Sequence, residues 1–224
     1  DVYKRQDKRL RILDIGTGSG CLVLSILKER KNFLGVGIDI SQKALKVANF
    51  NAKLQHLKNR VKLLAGVNID QLIEFVLEKL LITQGANTLV KTMKANGATT
   101  ALVSGGFTVI TEIIREKLNF DLCYGNTLSV DSSIVTGNLK PPIIDGDAKA
   151  AILDQECEKL EISKNDTLAV GDGANDIPML TNAGLGVGFR PKPVVKNYAS
   201  NIIEHCDLRG ILFLQGFSES EFLT

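Results

Sequence analysis

Apolar residues in the first sixty positions form two strand-like runs, each followed by a helical pattern. Residues 10–15 and 34–38 are the predicted strands, and the apolar spacing after each of them predicts a helix. The glycine-rich sequence at 16–20 (GTGSG) separates the first strand from its helix, and Ser41 is the expected N-cap of the second helix. Residues 9–59 are therefore expected to form a βαβα unit.

The pattern after residue 60 predicts a longer α/β segment. Asp70 is the expected N-cap of its first helix, and a β-rich stretch at 121–138 is expected to turn at Thr136-Gly137-Asn138. The other predicted elements are helices at 87–95, 109–117 and 148–160 and strands at 99–103, 167–170 and 185–187. Strands and helices that alternate in this way predict a parallel sheet.

The numbers of basic and acidic residues indicate what kind of partner this chain binds. The 224 residues include 27 Lys and Arg against 25 Asp and Glu, which gives a formal charge of +2. This balance provides no basic surface for nucleic acid, and no apolar run approaches the roughly 18 residues of a membrane span. A small molecule is the expected partner, without nucleic acid or membrane, and the oligomeric state stays open.

The four cysteines are scattered without a Cys-x-x-Cys pair, so a zinc site is not expected. Free thiols are typical of a reducing compartment, which predicts a cytoplasmic protein. The chain opens on Asp1 instead of Met, and residues 1–8 fit no element. We interpret these residues as a cloning scar or a disordered end.

Polar side chains are concentrated at residues 171–176 (GDGAND), immediately after a predicted strand. Open α/β sheets bind ligands at the carboxyl ends of their strands, so Asp172, Asn175 and Asp176 are candidate site residues. One or two carboxylates beside a phosphate suffice to bind Mg²⁺. A turn with solvated acidic side chains is the competing interpretation.

Two further sequences carry groups that suit a phosphate. Ser104-Gly105-Gly106 follows a predicted strand and precedes a helix, where a hydroxyl and backbone N–H groups can bind phosphate oxygens. Lys149 lies near the start of a helix, and its ammonium can neutralise the negative charge of a phosphoryl group while that group is transferred. Taken singly, these residues are better explained as a tight turn and a solvated lysine.

In this order, the three sequences resemble motifs two to four of the haloacid dehalogenase superfamily of phosphohydrolases. ALVSGGF at 101–107, AVGDGAND at 169–176 and DLR at 207–209 resemble, more closely, the phosphoserine phosphatase family, over residues 60–217. The resemblance implies a Rossmann-like three-layer parallel sheet. It also implies a Mg²⁺-dependent hydrolase of phosphoserine that serves serine biosynthesis.

The resemblance implies a role for each matching residue. Asp172 would bind the metal, and Asn175 and Asp176 would support the metal and the substrate. The phosphate would be bound by Ser104, the Gly105 amide and Lys149.

Arg60 matches the end of the family's cap and would pair with the carboxylate of phosphoserine through its planar guanidinium. A solvated arginine at a helix end is the alternative.

The first motif of the family, DxDxT, does not occur in this sequence. Its first aspartate attacks phosphorus, and its second acts as general acid and base. The Asp-x-Asp at 145–147 immediately precedes Lys149, in the family's third motif, and is not a displaced nucleophile. The resemblance therefore implies a relative that lacks the first-motif strand and is inactive or very slow.

Residues 9–59 carry a different resemblance. A glycine-rich turn with an acidic residue at the end of the next strand is an arrangement that binds nucleotide-like ligands. With NAKL at 51–54, it resembles the S-adenosylmethionine-dependent methyltransferases that modify glutamine in release factors. The resemblance implies that S-adenosylmethionine is bound by Asp14, Gly16, Gly18, Gly20 and Asp39. The Asn-Pro-Pro-Tyr motif of that family is absent, so methyl transfer is not expected.

The two resemblances divide the chain. The expected segments are an S-adenosylmethionine-binding unit at 9–59, a cap remnant at 60–84, a phosphatase core at 85–217 and a tail at 218–224. They meet without a linker, which predicts a chimera. The alternatives are a binding module without catalysis and a chain that folds poorly.

Loss of the first-motif strand would leave the strands at 99–103 and 167–170 with unpaired apolar edges. We expect strand 10–15 to fill this gap, with strand 34–38 on one side and strand 167–170 on the other. This arrangement would form one continuous parallel sheet and bring Asp14 towards Asp172.

Overall fold

A computed structural model describes residues 11–78 and 80–224 of the chain. The described residues divide into two compact units. The first contains residues 11–78 and Leu128–Lys140, and the second contains Leu80–Thr127 and Pro141–Thr224.

The first unit is built on a three-stranded parallel sheet. Its elements before the second unit begins are β1 (Arg11–Ile15), α1 (Cys21–Glu29), β2 (Leu34–Asp39), α2 (Gln42–Leu54), β3 (Val61–Ala65) and α3 (Ile69–Leu77). The strand order is β1-β2-β3, and a core of Val23, Leu24, Leu27, Ala52 and Leu57 packs between the helices and the sheet. The predicted strands are confirmed as Arg11–Ile15 and Leu34–Asp39, and the predictions for residues 1–8 and residue 10 lie outside the described residues.

Local capping explains where two of these helices begin. The Ser41 hydroxyl oxygen accepts the Ala44 N–H at 3.2 Å, which confirms Ser41 as the N-cap of α2. At α3, the Asn68 side chain accepts the Asp70 N–H at 2.8 Å. The N-cap of α3 is therefore Asn68 and not Asp70.

β3 occupies residues for which the sequence analysis expected a cap remnant. It pairs in parallel with β2, from Gly35 opposite Val61 to Asp39 opposite Ala65. Val61 also packs against the core of α1 and α2. The first unit therefore begins as βαβαβ, one strand longer than the expected βαβα.

The rest of the chain continues the α/β pattern. Its elements are α4 (Ala86–Ala95), β4 (Ala101–Phe107), α5 (Thr108–Leu118), β5 (Leu122–Asp131), β6 (Ile134–Lys140), α6 (Gly146–Leu160), β7 (Leu168–Gly171), α7 (Ile177–Asn182), β8 (Leu185–Phe189), β9 (Asn201–Ile203) and α8 (Gly210–Leu214). β4, β5 and β6 form a second sheet, and β7, β8 and β9 form a third with parallel strands. No helix in the described ranges is both long enough and apolar enough to cross a bilayer.

The hairpin of β5 and β6 turns at a different place from the one predicted. Ser132 and Ser133, with φ of 48° and 66°, form a two-residue turn of the kind that matches the twist of antiparallel strands. The Thr136-Gly137-Asn138 sequence lies within β6, so that prediction is wrong. Gly137 is required by a close approach instead, because a Cβ atom there would lie 2.9 Å from the Gly16 Cα.

The prediction of one continuous sheet is also wrong. β1 pairs with β2 in the first sheet, whereas β7 pairs with β8 in the third. A short crossover through α1 places β1 beside β2, and closing this short loop costs less entropy than pairing with a strand about 150 residues away. The expected pairing of β1 with β7 therefore does not occur among the described strands.

Candidate active site

The carboxyl end of β7 leads into a tightly folded acidic loop. After Gly171, the chain enters a 3₁₀ turn at Ala174–Asp176, and a Cβ atom on Gly171 would lie 2.4 Å from the Asp176 Cβ. Asp176 Oδ2 accepts the N–H groups of Asp172 and Gly173, both at 3.0 Å. These bonds fix the loop backbone while the side chains of Asp172 and Asn175 stay exposed.

A buried ion pair joins this loop to α6. Lys149 Nζ lies 2.7 Å from Asp176 Oδ1, and the two residues are 5% and 6% exposed. Burial alone would raise the pKa of Asp176, but hydrogen bonds from Lys149 and from the Gly173 and Asp172 amides outweigh it and lower this pKa. Asp176 is therefore a carboxylate at neutral pH, and Lys149 is not the solvated lysine of the alternative interpretation.

Lys149 is positioned by the start of α6. Asp145 caps this helix by accepting the Ala148 N–H at 2.9 Å, and its carbonyl oxygen accepts the Lys149 N–H at 3.1 Å. At Gly146, a Cβ atom would lie 3.1 Å from the Asn175 carbonyl oxygen, so the helix start packs closely on the acidic loop. Asp145 acts here as a helix cap, consistent with the conclusion that residues 145–147 are not a nucleophile motif.

Ser104-Gly105-Gly106 lies inside β4, not in a turn after it. The register between β4 and β5 shifts between Val103 and Phe107, and the Ser104 hydroxyl oxygen accepts the Gly106 N–H at 2.9 Å. Because this oxygen is the acceptor, the hydroxyl proton is free to be donated to a ligand. The segment keeps the phosphate-binding groups that the sequence indicated, in a distorted strand.

Asn126 is a positioning residue that sequence reasoning missed. Its buried amide donates to the Gly105 carbonyl oxygen at 2.9 Å, and its Oδ1 accepts the Ile144 N–H at 2.7 Å. It thereby ties the serine-containing strand to the segment that leads into α6. The sequence offered no signal for this role, because β5 also contains other polar residues such as Thr127 and Ser129.

The remaining predicted site residues belong to the first unit. Arg60 Nη2 donates to the carbonyl oxygens of Arg30 and, at 2.9 Å, Phe33. Arg60 therefore satisfies backbone acceptors between α1 and β2, and it is not the solvated arginine of the alternative interpretation. Its role towards a substrate stays a prediction.

The glycine-rich turn is held by hydrogen bonds to the end of β2. Gly16, Gly18 and Gly20 all have positive φ, and Gly18 N–H donates to Asp39 Oδ2 at 2.8 Å. The other oxygen of Asp39 accepts the Ser41 N–H at 2.8 Å.

Asp14 accepts the Thr17 hydroxyl at 2.8 Å, again within this turn. The first unit therefore brings together Asp14, Gly16, Gly18, Gly20 and Asp39, whose role in binding S-adenosylmethionine stays a prediction.

The acidic loop provides a partial set of metal ligands. Within the described ranges, no three His, Cys, Asp or Glu side chains converge, and the Asp172 carboxylate has no hydrogen-bond or ion-pair partner. Both Asp176 oxygens are already bonded, so Asp176 supports the loop, and Asp172 is the carboxylate of the loop that could hold a metal. One carboxylate fits Mg²⁺ if water and phosphate oxygens complete an octahedron.

Comparison with known proteins places the chain in a family of hydrolases. The family model of haloacid dehalogenase-like hydrolases matches residues 38–181. A probable phosphoserine phosphatase of Schizosaccharomyces pombe is 39% identical over 169 residues, 75% of this chain and 56% of the relative. The phosphoserine phosphatase of Archaeoglobus fulgidus is 34% identical over 207 residues, 92% of this chain and 59% of the relative. The chain thus spans less than two thirds of either relative.

A solved structure of a phosphoserine phosphatase with a phospho-aspartyl intermediate analogue is also similar. It has a TM-score of 0.64 and 31% identity, with 92% of this chain and 98% of that chain covered. The parallel strands β7, β8 and β9, with an acidic loop at the carboxyl end of β7, are an α/β arrangement of the kind that binds ligands at this edge of the sheet. The chain belongs to the haloacid dehalogenase-like hydrolase family, in its phosphoserine phosphatase branch, which confirms that resemblance.

Proposed function

We propose that the second unit binds the phosphate of phosphoserine beside Mg²⁺. The observation that carries this proposal is the buried Lys149–Asp176 pair, which fixes a loop and leaves the Asp172 carboxylate free. The substrate follows from the names of the relatives, which are phosphoserine phosphatases. A role in serine biosynthesis and a cytoplasmic location belong to the same proposal.

Each residue has a defined part in this proposal. The Ser104 hydroxyl and the Gly105 N–H bind phosphate oxygens, and Lys149 has two further N–H donors besides the one given to Asp176. Mg²⁺, when bound at Asp172, would neutralise charge on the phosphate. Asn175, exposed on the same loop, offers an amide to the metal shell or the substrate.

Arg60 is the proposed partner of the substrate carboxylate. Its guanidinium donates to the carbonyl oxygens of Arg30 and Phe33, so in this role it would use its remaining donors or release one of these bonds.

We further propose that this chain is a poor catalyst. The sequence of residues 1–224 contains no DxDxT motif, which in the family supplies the nucleophile and the general acid. In this proposal the remaining groups bind and neutralise phosphate, and none of them is assigned the role of nucleophile. The chain should therefore still bind phosphoserine, although it hydrolyses phosphoserine very slowly.

Mg²⁺ binding tests the assignment of Asp172. We expect isothermal titration to show weak Mg²⁺ binding by the full chain, because Asp172 is the sole free carboxylate of the loop, and no detectable binding by Asp172→Asn. Asp166→Asn is the matched control, since Asp166 is an exposed acid near the opposite end of β7. Equal affinity in the wild type and Asp172→Asn would show that the loop does not hold the metal.

The first unit supports a second candidate function, an S-adenosylmethionine-binding module without catalysis. The three glycines with positive φ and Asp39 at the end of β2 favour it. It predicts that S-adenosylhomocysteine binds the full chain, that Asp39→Ala weakens this binding and that Asp70→Ala does not. Titration with phosphoserine and Mg²⁺ under the same conditions separates the two functions, and failure of S-adenosylhomocysteine to bind at millimolar concentration would eliminate the second.

A chimeric origin would account for two such units in one chain. The pairing of β3 with β2 and the bonds of Arg60 to the α1–β2 connection favour a junction after Ala65, later than residues 59–60. The family match that begins at residue 38 favours one continuous protein instead. Sequencing the source DNA across the codons for residues 55–85 decides between them, and an uninterrupted native gene would refute the chimera.

A further inference from the structure

Lys192 approaches the acidic loop from the segment that follows β8. Its backbone N–H donates to the Asp172 carbonyl oxygen at 2.9 Å. Its ammonium group lies over the same loop, because a Cβ atom on Gly173 would be 3.7 Å from Lys192 Nζ. The sequence analysis did not single out this lysine, which lies 20 residues beyond Asp172 in the chain.

The base of the Lys192 side chain is firmly anchored. The residues that follow it form a 3₁₀ turn at Pro193–Asn197, and the Val195 N–H donates to the Lys192 carbonyl oxygen at 2.9 Å. Val195 is fully buried in a core cluster with Ala169 of β7 and Leu180 of α7. The turn therefore holds Lys192 at a fixed position beside the end of β7.

Without Lys192, the side chains at the acidic loop carry more negative than positive charge. The carboxylates of Asp172 and Asp176 carry two negative charges, and Lys149 offsets one of them through its ion pair with Asp176. Lys192 is exposed, and its ammonium has no hydrogen-bond or ion-pair partner within the described ranges. Lys196, on the same 3₁₀ turn, is ion-paired with Glu204 instead.

We infer that Lys192 binds an oxygen of the phosphate group and is a second cation of the site beside Lys149. The inference rests on the proposed function, because it requires phosphate at this loop. An ammonium that reaches over Gly173 adds positive charge beside the metal that Asp172 would hold, and it can donate a charge-assisted hydrogen bond to a phosphate oxygen. Lys149 alone cannot supply this charge, since Asp176 neutralises it.

Calorimetric titration of inorganic phosphate into the full chain at saturating Mg²⁺ tests this role. We expect Lys192→Ala to weaken phosphate binding about tenfold or more, the effect of a lost hydrogen bond between charged groups. Lys192→Arg keeps the charge and should retain most of the affinity. Lys196→Ala, four residues along the same segment, should bind phosphate like the wild type.

A titration with Mg²⁺ alone distinguishes phosphate binding from support of Asp172. Removal of a positive charge should leave the Mg²⁺ affinity of Lys192→Ala unchanged or slightly higher, and a marked loss would overturn the inference. Wild-type phosphate affinity in Lys192→Ala would overturn it too, while the proposed function would stand. Absence of phosphate binding in the wild type would overturn both.

Discussion

Purified chain supplied with Mg²⁺ should release phosphate from phosphoserine at least roughly 10³-fold more slowly than a relative that carries DxDxT. General acid–base catalysis alone contributes about 10²- to 10⁴-fold, and the covalent route through an aspartate is lost as well. Under the proposed function, the second unit would still bind phosphate and neutralise its charge. The measurement is phosphate release over hours at enzyme concentrations high enough to detect slow turnover.

One control variant makes this result interpretable. Asp172→Asn should abolish any residual activity that depends on the site, whereas activity that survives this substitution comes from a contaminating phosphatase. A catalytic constant within about tenfold of an ordinary enzyme's roughly 10 per second would contradict the expectation. It would show that another group of this chain replaces the missing aspartate.

Local sequence patterns predicted most of the elements. Apolar runs placed β1, β2, β7 and β8 to within about two residues, and the hydroxyl of Ser41 correctly located the start of α2. These features depend on neighbouring residues, since strand formers, caps and helical spacing act over a few positions. The acidic loop was recognisable for the same reason, because its residues lie within six consecutive positions.

Features that depend on tertiary contacts were missed. Gly137 was taken for a turn residue because a glycine required by a close approach to Gly16 has the same sequence signal. Asn126 and Lys192 lie far along the chain from the groups that they contact. The prediction of strand pairing was wrong for the same reason. The sequence pattern of β1 shows that it is a strand, but it does not show which strand lies beside it.

The largest effect on stability is expected at the buried ion pair. Lys149→Met should lower the free energy of unfolding of the second unit by about 3–5 kcal/mol, because it leaves the Asp176 carboxylate buried without its cation. Denaturant unfolding monitored by circular dichroism measures the loss. Lys159→Met is the matched control on the same helix, since its partner Glu156 forms a surface ion pair worth under about 1 kcal/mol.

A double variant separates the lost charge from lost packing. Lys149→Met combined with Asp176→Asn removes both charges and retains an amide near the N–H groups of Asp172 and Gly173. It should recover part of the stability lost in Lys149→Met. A double variant as unstable as the sum of the two single variants would show that the pair does not interact energetically.

The stability difference between wild type and Lys149→Met should also depend on pH. The pKa of Asp176 in the folded wild type is lower than the ordinary aspartate value of 3.8. The carboxylate therefore contributes stability that is complete above about pH 5 and is lost as the pH falls through the folded-state pKa. In Lys149→Met, burial without the cation raises the pKa of Asp176. As the pH is lowered, Asp176 therefore becomes protonated at a higher pH than in the wild type, and protonation removes the cost of a buried unpaired charge. The difference in unfolding free energy should thus be largest near pH 7 and narrow below about pH 4, whereas a difference that widens in acid would contradict the ion pair as its cause.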